Sequence, residues 1–527
     1  MPQKQVIGLG TWMDKIAYKM VERERQLGRS LDLLRTEAGI GASGIPHIGG
    51  MADSVRAYAV SLALKNMGYD SELIQFADDM DGLRSIPEGL PREKLEPHLL
   101  KPVSYIPDPF RCHESYAVHM ENLLLDALEK AGVEAKLVRA YEAYGRGILV
   151  EQIRKILSNH DVIARKIDEI TGQKKFYQTL PYFAVCSNCE RIYTTYALDF
   201  DERRDKVSYE CRGVSVKGRF YEGCGYSGEA DIRRAEGKLS WKTEMAARWA
   251  ALDIRFEAYG KDLAASIQVN DWVSREILGF EPPYHVQYEL FLDASKRKIS
   301  KSRGVASIFT PQNWYRYGTP QSLVLLLLKR IKGTRVISHQ LIPYLMNELD
   351  RLQDLYYSGK GEPKLRGLFA YVYNLNPPKE PPSKVPYNVI LQLASIAPEG
   401  KEEESIATRL QRYGYKLDET TREKIRLAIN FIKDFGMVSQ RAIKIEQKYR
   451  SAVKELVEAI SSSENSNQLQ SRIFEVARRN GIDPAEFFRV LYEVLIGQPR
   501  GPRLGPYIME DLGKEEAVSR LKEALSE

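Results

Sequence analysis

Apolar and polar positions early in the chain follow the order expected of a strand, a turn and a helix. Residues 31–34 form a short apolar run that predicts a buried strand. Ile48, Met51 and Val55 then recur at helical spacing, and the run at 72–77 predicts a second strand. This succession predicts an α/β fold built on a parallel sheet.

The pattern changes in the second half of the chain. A strand-like run at 287–292 leads into a basic loop, and helical periodicity dominates beyond residue 340. The clearest helical stretches are 341–357, 419–435 and 439–460, and a proline-rich break lies at 377–386. At 527 residues the chain is too long for one ordinary core, so we expect several domains.

These patterns predict a Rossmann-like parallel-sheet domain in two halves, an insertion between the halves, and an all-α C-terminal domain. The predicted limits are 1–30 for a helical lead-in, 31–85 for the first half of the sheet domain, 86–235 for the insertion, 236–309 for the second half, 310–340 for a connecting segment and 341–527 for the α-helical domain. Two groups of cysteine and histidine residues that could bind a metal fall within the insertion.

A glycine-rich segment follows the first predicted strand. Gly39, Gly41 and Gly44 have the spacing of a dinucleotide-binding turn, so a nicotinamide or flavin cofactor has to be considered. The acidic residues that end the next strand, at 78 and 79, lie well beyond the roughly 20-residue offset of a ribose-binding acid. The spacing therefore argues against a dinucleotide, and a simple tight turn is the other reading of the glycines.

Two further features favour a site for a polyphosphate. Pro46 suits the first turn of the predicted helix, whose exposed N–H groups and positive dipole end would place a phosphate near His47. In the basic loop, Lys298 and Lys301 lie three residues apart between serines, which predicts a flexible cationic lid over developing negative charge. A solvated run of charges is the alternative for this loop.

The segment 46–50 reads PHIGG, and the segment 298–302 reads KISKS. Together they resemble the HIGH and KMSKS signatures of class I aminoacyl-tRNA synthetases, with the final His replaced by Gly50. The segments at 35–44, 76–84 and 106–110 resemble the class I lysyl-tRNA synthetases of the archaeal type. The resemblance covers most of the chain and is most specific before residue 310.

The resemblance implies a reaction and the residues that perform it. ATP with Mg²⁺ would activate L-lysine to lysyl-adenylate, and the lysine would pass to the 2′-hydroxyl of the terminal adenosine of tRNA(Lys). The catalytic residues would be His47, Lys298 and Lys301. The ATP-binding residues would be Gly41, Ser43, Gly44, Pro46, His47, Gly49, Gly50, Ser300, Lys301 and Ser302.

Recognition of lysine requires a carboxylate for the side-chain ammonium, because a buried unpaired charge is costly. Ligands of parallel sheets bind at the carboxyl ends of the strands, which favours acids in those positions. The candidate lysine-binding residues are Glu37, Gly39, Asp79, Asp81, Trp249, Asp271 and His285. A turn cap is the alternative for Asp78, orientation of an arginine is the alternative for any of these acids, and core packing is the alternative for Trp249.

Four of the five cysteines lie in the insertion as Cys186-x-x-Cys189, Cys211 and Cys224. Four thiolates, the first two at knuckle spacing, favour a structural Zn²⁺ over a disulfide framework. Free thiols or a redox pair are the alternatives.

A second group, made of His98, Cys112, His113 and His119, contains zinc-ligand types without a standard spacing. It predicts a second Zn²⁺ site. Ordinary polar residues of helices and loops are the alternative.

Charge and hydropathy restrict the class of protein. The net charge of +6 permits a nucleic-acid partner without requiring one. No apolar run reaches the eighteen or so residues of a membrane span, and the first residues lack an apolar signal core, so we expect a cytoplasmic protein. We also expect a monomer. By the resemblance, the insertion would guide the acceptor end of tRNA and the helical domain would bind its anticodon.

Three alternatives remain open at this point. A glutamyl-like or other class I synthetase would need a basic pocket, whereas the strand ends here supply acids. A non-catalytic RNA-binding protein derived from a synthetase is opposed by the intact His47, Lys298 and Lys301. A metabolite adenylyltransferase of the same superfamily would not need a large helical C-terminal region.

Overall fold

A computed structural model describes residues 7–289, 291–293, 310–436, 445–496 and 499–526. The chain divides into two compact units. The first comprises Met1–Tyr315 and Pro320–Lys379, and the second comprises Arg316–Thr319 and Glu380–Glu527. The sheet, the insertion and the candidate active site all belong to the first unit.

A parallel sheet of five strands forms the centre of the first unit, in the order β12-β11-β1-β2-β3. The strands in the described residues are β1 Leu34–Ile40, β2 Ser71–Ala77, β3 Lys136–Arg139, β4 Tyr182–Ala184, β5 Thr195–Asp201, β6 Lys206–Cys211, β7 Gly213–Val216, β8 Arg219–Glu222, β9 Ser227–Asp231, β10 Gly237–Leu239, β11 Ile254–Gly260, β12 Tyr284–Tyr288, β13 Phe291–Leu292 and β14 Arg335–Val336. The predicted parallel α/β core is thereby confirmed.

The first unit contains helices that pack on the sheet and further helices outside it. The α-helices of this unit are Trp12–Gln26, Ile48–Asn66, Arg92–Leu95, Tyr116–Lys130, Ala140–Gly145, Val150–Ser158, His160–Thr171, Glu244–Leu252, Ala264–Trp272, Pro311–Tyr315, Pro320–Leu328, Leu341–Tyr357 and Pro363–Val372. Helix Ile48–Asn66 is buried along most of its length, because it packs against both β1 and β2. Removal of these apolar side chains from water is the main stabilising contribution of this layer.

The first strand lies later than predicted. β1 begins at Leu34, the last residue of the predicted run, and continues to Ile40. The apolar-run criterion failed here because Thr36 and Glu37 are buried polar residues inside the strand. The predicted helix from Ile48 and the second strand are confirmed, whereas the run at 287–292 divides into β12 and β13.

The insertion carries small antiparallel sheets. β5, β6 and β9 form a three-stranded sheet, β4 pairs with β10, and β7 pairs with β8 in a hairpin. The cysteines at 186, 189, 211 and 224 lie at or between these strands, so the chain segments that join the sheets converge on the thiols.

The second unit is helical in its described residues. Its helices are Tyr387–Ala394, Glu402–Arg412, Glu419–Phe435, Gln447–Ser462, Ser466–Arg479, Pro484–Ile496, Leu504–Pro506 and Lys514–Ser526, with a π-helical segment at Tyr507–Leu512. The predicted helix 419–435 is confirmed, as is 341–357 in the first unit. The start of the predicted helix at 439–460 lies outside the described residues. The predicted sequence of a sheet domain followed by a helical C-terminal region is confirmed.

Candidate active site

A cavity of about 280 Å³ opens at the carboxyl ends of β1, β11 and β12. This is the edge of a parallel sheet at which ligands bind. The residues that line it are Gly39, Gly41, Ser43, His47, Gly49, Gly50, Asp53, Asp78, Asp81, Trp241, Met245, Arg248, Glu257, Ala258, Tyr259, Gly260, Asp262, Leu263, Tyr288 and Phe291. One end is formed by a helix terminus and the other by buried acids, and the two ends differ in charge.

The first end is the N-terminus of helix Ile48–Asn66. His47 is its N-cap, and its Nδ1 accepts a hydrogen bond of 3.2 Å from the backbone N–H of Gly50. An accepting Nδ1 places the proton of a neutral imidazole on Nε2, which makes Nε2 a donor. Backbone N–H groups and the helix dipole at the same point favour an anion.

Not every predicted ATP-binding residue contacts this cavity. Gly44 and Pro46 do not line it, and Pro46 precedes the helix because the helix begins at Ile48 and not at the proline. The other predicted glycines, Gly41, Gly49 and Gly50, line the cavity together with Ser43 and His47. The remaining members of the predicted set, Ser300, Lys301 and Ser302, lie outside the described residues, as does the predicted catalytic residue Lys298.

The two glycines after His47 have different surroundings, which gives a matched pair of substitutions. A Cβ on Gly49 would lie 2.8 Å from the His47 ring, whereas a Cβ on Gly50 would meet nothing within 4 Å. We expect Gly50→Ala to stabilise the helix by about 0.5–1 kcal/mol, because glycine is a poor helix former. Gly49→Ala should displace the imidazole and raise the KM for ATP. Thermal unfolding and ATP-dependent pyrophosphate exchange measure the two effects, and equal KM values for the two variants would contradict the expectation.

Arg248 organises the acidic end of the cavity. Its side chain is 1% exposed, and its Nε lies 3.0 Å from Glu37 Oε1 while its Nη1 lies 3.0 Å from Asp78 Oδ1. Its Nη2 is 3.9 Å from Glu257 Oε1, and its guanidinium lies over the ring of Phe76. One buried cation is thus shared by three carboxylates that come from three different segments of the sheet.

A second buried cation lies close by. Lys238 Nζ is 2.7 Å from Asp81 Oδ1 and 2.8 Å from Glu244 Oε2, and Tyr144 donates a hydrogen bond of 2.8 Å to the other oxygen of Glu244. Around Arg248 and Lys238 there are therefore five carboxylates for two cations. The ionised cluster carries an excess of negative charge in a buried place, which suits a cationic ligand.

The pKa values reflect this crowding. Burial raises the pKa of Asp78 to about 7, although the cations of Arg248 and Lys238 oppose the rise. Burial raises the pKa of Glu37 as well, again against the effect of Arg248. Burial alone would lower the pKa of Arg248, but the carboxylates of Glu37 and Asp78 hold it above its ordinary value. The arginine therefore stays charged, and the acids around it are the groups that can exchange protons.

Only part of the predicted lysine-binding set lines the cavity. Gly39 and Asp81 do, whereas Glu37 lies behind Arg248. Asp79 points away: its Oδ1 accepts a hydrogen bond of 2.7 Å from the backbone N–H of Tyr141. Asp79 therefore binds the first turn of helix Ala140–Gly145, and Asp78 lines the cavity beside Arg248.

The other three predicted residues form a layer behind the cavity wall. Trp249 is fully buried and donates from Nε1 to Glu257 Oε2 at 2.5 Å. His285 Nε2 lies 2.9 Å from Asp271 Oδ1, and its Nδ1 lies 3.2 Å from the backbone oxygen of Glu257. The sequence analysis did not identify Arg248 or Glu257. Charged residues within the mainly apolar segments 244–252 and 254–260 could have indicated them.

The buried Asp79 predicts a dependence of stability on pH. Burial raises its pKa to about 8, so the folded chain holds a proton that an unfolded aspartate releases near pH 4. The free energy of unfolding should therefore fall between about pH 4 and pH 8. We expect Asp79→Asn, which keeps the acceptor for Tyr141 and cannot ionise, to be more stable than the parent by at least about 1 kcal/mol at pH 8 and by less at pH 5. Denaturant unfolding at the two pH values measures this, and a difference that is independent of pH would contradict it.

The four cysteines of the insertion are brought together. Their sulfur atoms all lie within 4.8 Å of one another, with Cys186 Sγ to Cys224 Sγ at 3.5 Å and Cys189 Sγ to Cys211 Sγ at 3.8 Å. Four sulfurs bound to tetrahedral zinc at about 2.3 Å would be separated by about 3.8 Å. The spacing and the donor set both fit zinc.

A second group is also brought together, with one change from the predicted set. Cys112 Sγ lies 3.2 Å from His113 Nδ1 and 3.3 Å from His119 Nδ1, and the two Nδ1 atoms are 3.3 Å apart. The fourth member is Asp108, whose Oδ1 is 3.3 Å from His119 Nδ1. His98 is not part of the group. The chain turns around the Asp108 carboxylate, which accepts hydrogen bonds from the backbone N–H groups of residues 110, 112 and 113. Asp108 was not predicted, because only cysteine and histidine were considered as ligands.

One further property bears on the class of protein. Among the described residues, none of the helices combines the length and the apolar character needed to span a membrane.

Comparison with known proteins identifies families and relatives that the chain resembles. The family model described as tRNA synthetases class I (K) matches residues 10–378, and the one described as anticodon binding domain matches residues 430–525. A lysine–tRNA ligase of Cenarchaeum symbiosum (strain A) is 45% identical, over 98% of this chain and 99% of the relative. Those of Methanocaldococcus jannaschii and Archaeoglobus fulgidus are 29% and 28% identical, over 97% and 98% of this chain and 99% and 100% of the relatives. The first match includes the cavity, the glycine-rich segment and both metal-ligand groups.

Proposed function

The chain belongs to the class I tRNA synthetases (K), and on this premise we propose that it joins L-lysine to tRNA in an ATP-dependent reaction. The curated relatives that cover almost its whole length are lysine–tRNA ligases. The observation that carries the proposal is a single cavity with an anion-binding helix terminus at one end and an excess of carboxylates at the other. Such a cavity suits a triphosphate and an amino acid with a cationic side chain.

The first step is attack of a lysine carboxylate oxygen on the α-phosphorus of ATP. The new P–O bond gives lysyl-adenylate, and the bond to the β-phosphate breaks to release pyrophosphate. This step depends on positioning and on stabilisation of charge. His47, with its Nε2 proton, and the backbone at Gly49 and Gly50 would hold phosphate oxygens at the helix terminus. Lys298 and Lys301, outside the described residues, are proposed to stabilise the charge on pyrophosphate.

Magnesium fits the same site without a dedicated set of protein ligands. Mg²⁺ is commonly bound through substrate phosphates and a few carboxylates, and it would neutralise phosphate charge there. Asp53 and Asp262 also line the cavity. Among the described residues of the cavity, these two carboxylates could approach such an ion.

The second step is attack of the 2′-hydroxyl of the terminal adenosine of tRNA on the carbonyl carbon of the adenylate, which releases AMP. We propose that the insertion, 86–235, holds the acceptor end. Its hairpin carries Phe220, which is 61% exposed, and the basic residues Arg212, Lys217 and Arg219 lie beside it. Exposed aromatic rings next to cations are typical of surfaces that bind single-stranded nucleic acid.

We further propose that the second unit, from Glu380, binds the anticodon arm and that 310–340 is a connecting segment. The boundary predicted at 341 lies earlier than this, because the helices Leu341–Tyr357 and Pro363–Val372 belong to the first unit. The match of residues 430–525 to an anticodon binding domain supports the first assignment. Both metal-ligand groups are proposed to hold structural Zn²⁺, since each has four donors of the types that zinc prefers. Bound zinc would fix the chain segments that carry the insertion and the start of helix Tyr116–Lys130.

The test is ATP–pyrophosphate exchange with the purified protein, run with each of the twenty amino acids and with and without tRNA. We expect exchange with lysine only, and loss of exchange in Lys301→Ala. Exchange with glutamate, or with another amino acid, would move the chain to another specificity within class I. Absence of exchange with every amino acid, with tRNA present, would overturn the proposal and favour a non-catalytic RNA-binding role.

A further inference from the structure

Glu257 occupies an unusual position in the central sheet. In the parallel register it stands beside Glu37 of β1 on one side and His285 of β12 on the other. Side chains at matching register positions of neighbouring strands point to the same face of a sheet. Two glutamates are therefore adjacent in the buried centre of the sheet, an arrangement that is destabilising unless a cation compensates it.

The contacts of the acids around Arg248 and Lys238 are unequal. Glu37 and Asp78 each lie 3.0 Å from Arg248, and Asp81 lies 2.7 Å from Lys238. Glu257 is 5% exposed and lines the cavity, yet its distance to Arg248 is 3.9 Å, too long for a hydrogen bond. Glu244 lies 2.8 Å from Lys238, so of the five carboxylates Glu257 has the weakest compensation by a protein cation.

The cavity wall next to Glu257 is suited to an alkyl chain. Trp241, Met245 and Tyr259 line the cavity at this end, and they supply apolar surface for methylene groups. The phosphate end, at His47, belongs to the same cavity. A lysine with its carboxylate towards the helix terminus would place its side chain between these walls and its ammonium at the acids.

We propose that Glu257 receives the side-chain ammonium of the lysine substrate, and that Arg248 and Trp249 are positioning residues that hold this carboxylate. The inference rests on the proposed function and specifies how the amino acid is recognised. Trp249 fixes one carboxylate oxygen through its indole N–H, which directs the other oxygen towards Arg248 and the acidic cluster. Discrimination against an uncharged side chain would follow, because such a ligand would leave Glu257 buried and unpaired.

The proposal also predicts a proton exchange. Burial and the carboxylate of Glu37 raise the pKa of Glu257 well above its ordinary value, while Arg248 opposes them. Among the described residues, Asp78 after β2 and His285 on β12 also face Glu257. Glu244, on the helix that carries Arg248, acts on that arginine, and Lys238 lies between Asp81 and Glu244. The raised pKa favours a protonated carboxyl in this cluster when no lysine is bound. An arriving ammonium would displace that proton to the buffer, so binding should release protons.

The experiment compares lysine with norleucine, which has the same carbon chain and no side-chain ammonium. Binding to the full chain is measured by calorimetry in two buffers of different ionisation enthalpy, and lysine activation by pyrophosphate exchange. For Glu257→Gln we expect at least about 100-fold weaker lysine binding, little change for norleucine and loss of proton release. Glu121→Gln is the matched control, since Glu121 is also fully buried beside an arginine, Arg139, and does not line the cavity.

Circular dichroism and thermal unfolding establish that the variants fold. Trp249→Phe gives a second test that keeps a six-membered aromatic ring and removes the N–H donor to Glu257, and it should weaken lysine binding more than norleucine binding. Wild-type discrimination that survives in Glu257→Gln, or an equal loss for both ligands, would overturn the inference. Loss of discrimination in Asp78→Asn with Glu257→Gln unaffected would also overturn it. A wild-type chain that exchanges pyrophosphate with no amino acid would instead overturn the proposed function.

Discussion

His47→Ala is expected to lower the rate of lysine activation by about 10²–10³-fold, the typical effect of removing one donor that stabilises charge in a transition state. The imidazole lines the cavity at the helix terminus, and its Nδ1 accepts from the Gly50 N–H at 3.2 Å. The opposite nitrogen therefore carries the proton in the neutral ring. The effect is expected to be large because the usual second histidine of the signature is replaced by Gly50, so His47 has no neighbouring imidazole to share the task. Pyrophosphate exchange at saturating lysine measures it.

The substitution also removes a helix cap, and a second variant separates the two losses. His47→Ala should cost about 1 kcal/mol of stability as a lost N-cap. His47→Asn supplies a side-chain oxygen for the Gly50 N–H, and asparagine is among the best N-cap residues. We expect His47→Asn to have near-wild-type thermal stability and still lose activation. Recovery of activity together with stability in His47→Asn would show that the role of His47 is only to cap the helix.

The sequence was informative where the signal is local. Helix Ile48–Asn66 follows from apolar spacing, and β2 follows from a short run in which most residues are apolar. The four cysteines of the insertion were identified by count and spacing, because a zinc site restricts residue type so strongly. These features depend on neighbouring residues or on rare side chains, so they can be recognised without knowledge of the strand order in the sheet.

The acidic end of the cavity could not be predicted in the same way. Glu37 and Glu257 are adjacent only because β1 pairs with β11, and nothing local records that pairing. The positions of Asp78 and Asp79 depend on tertiary contacts in the same way. Asp78 lines the cavity beside Arg248, whereas Asp79 accepts from the N–H of Tyr141, 62 residues away. The sequence identifies the acids at this strand end but not their partners.

The second large effect is expected at the cysteine group. Cys211 ends β6, the middle strand of the three-stranded sheet in the insertion, and its sulfur is buried 3.8 Å from that of Cys189. Structural zinc contributes directly to folding free energy, by roughly 10 kcal/mol or more in small zinc modules. We therefore expect Cys211→Ser to lose one zinc ion per chain and to make the insertion unfold independently, at a lower temperature than the parent. Metal analysis and limited proteolysis measure the two consequences.

The second ligand group supplies the comparison that makes this expectation specific. Cys112→Ser changes the same atom in the group that contains Asp108, His113 and His119. If both groups hold zinc, the parent contains two ions, each single variant one, and the double variant none.

Cys112→Ser should disturb the segment before helix Tyr116–Lys130, whose Tyr116 hydroxyl donates to the backbone oxygen of Ser43 in the glycine-rich loop. It should therefore weaken ATP binding, whereas Cys211→Ser should mainly weaken use of tRNA. A parent with one ion, unchanged in Cys112→Ser, would reduce the second group to a hydrogen-bonded turn. If the parent contained no zinc and unfolded at the same temperature as Cys211→Ser, neither group of ligands would be a zinc site.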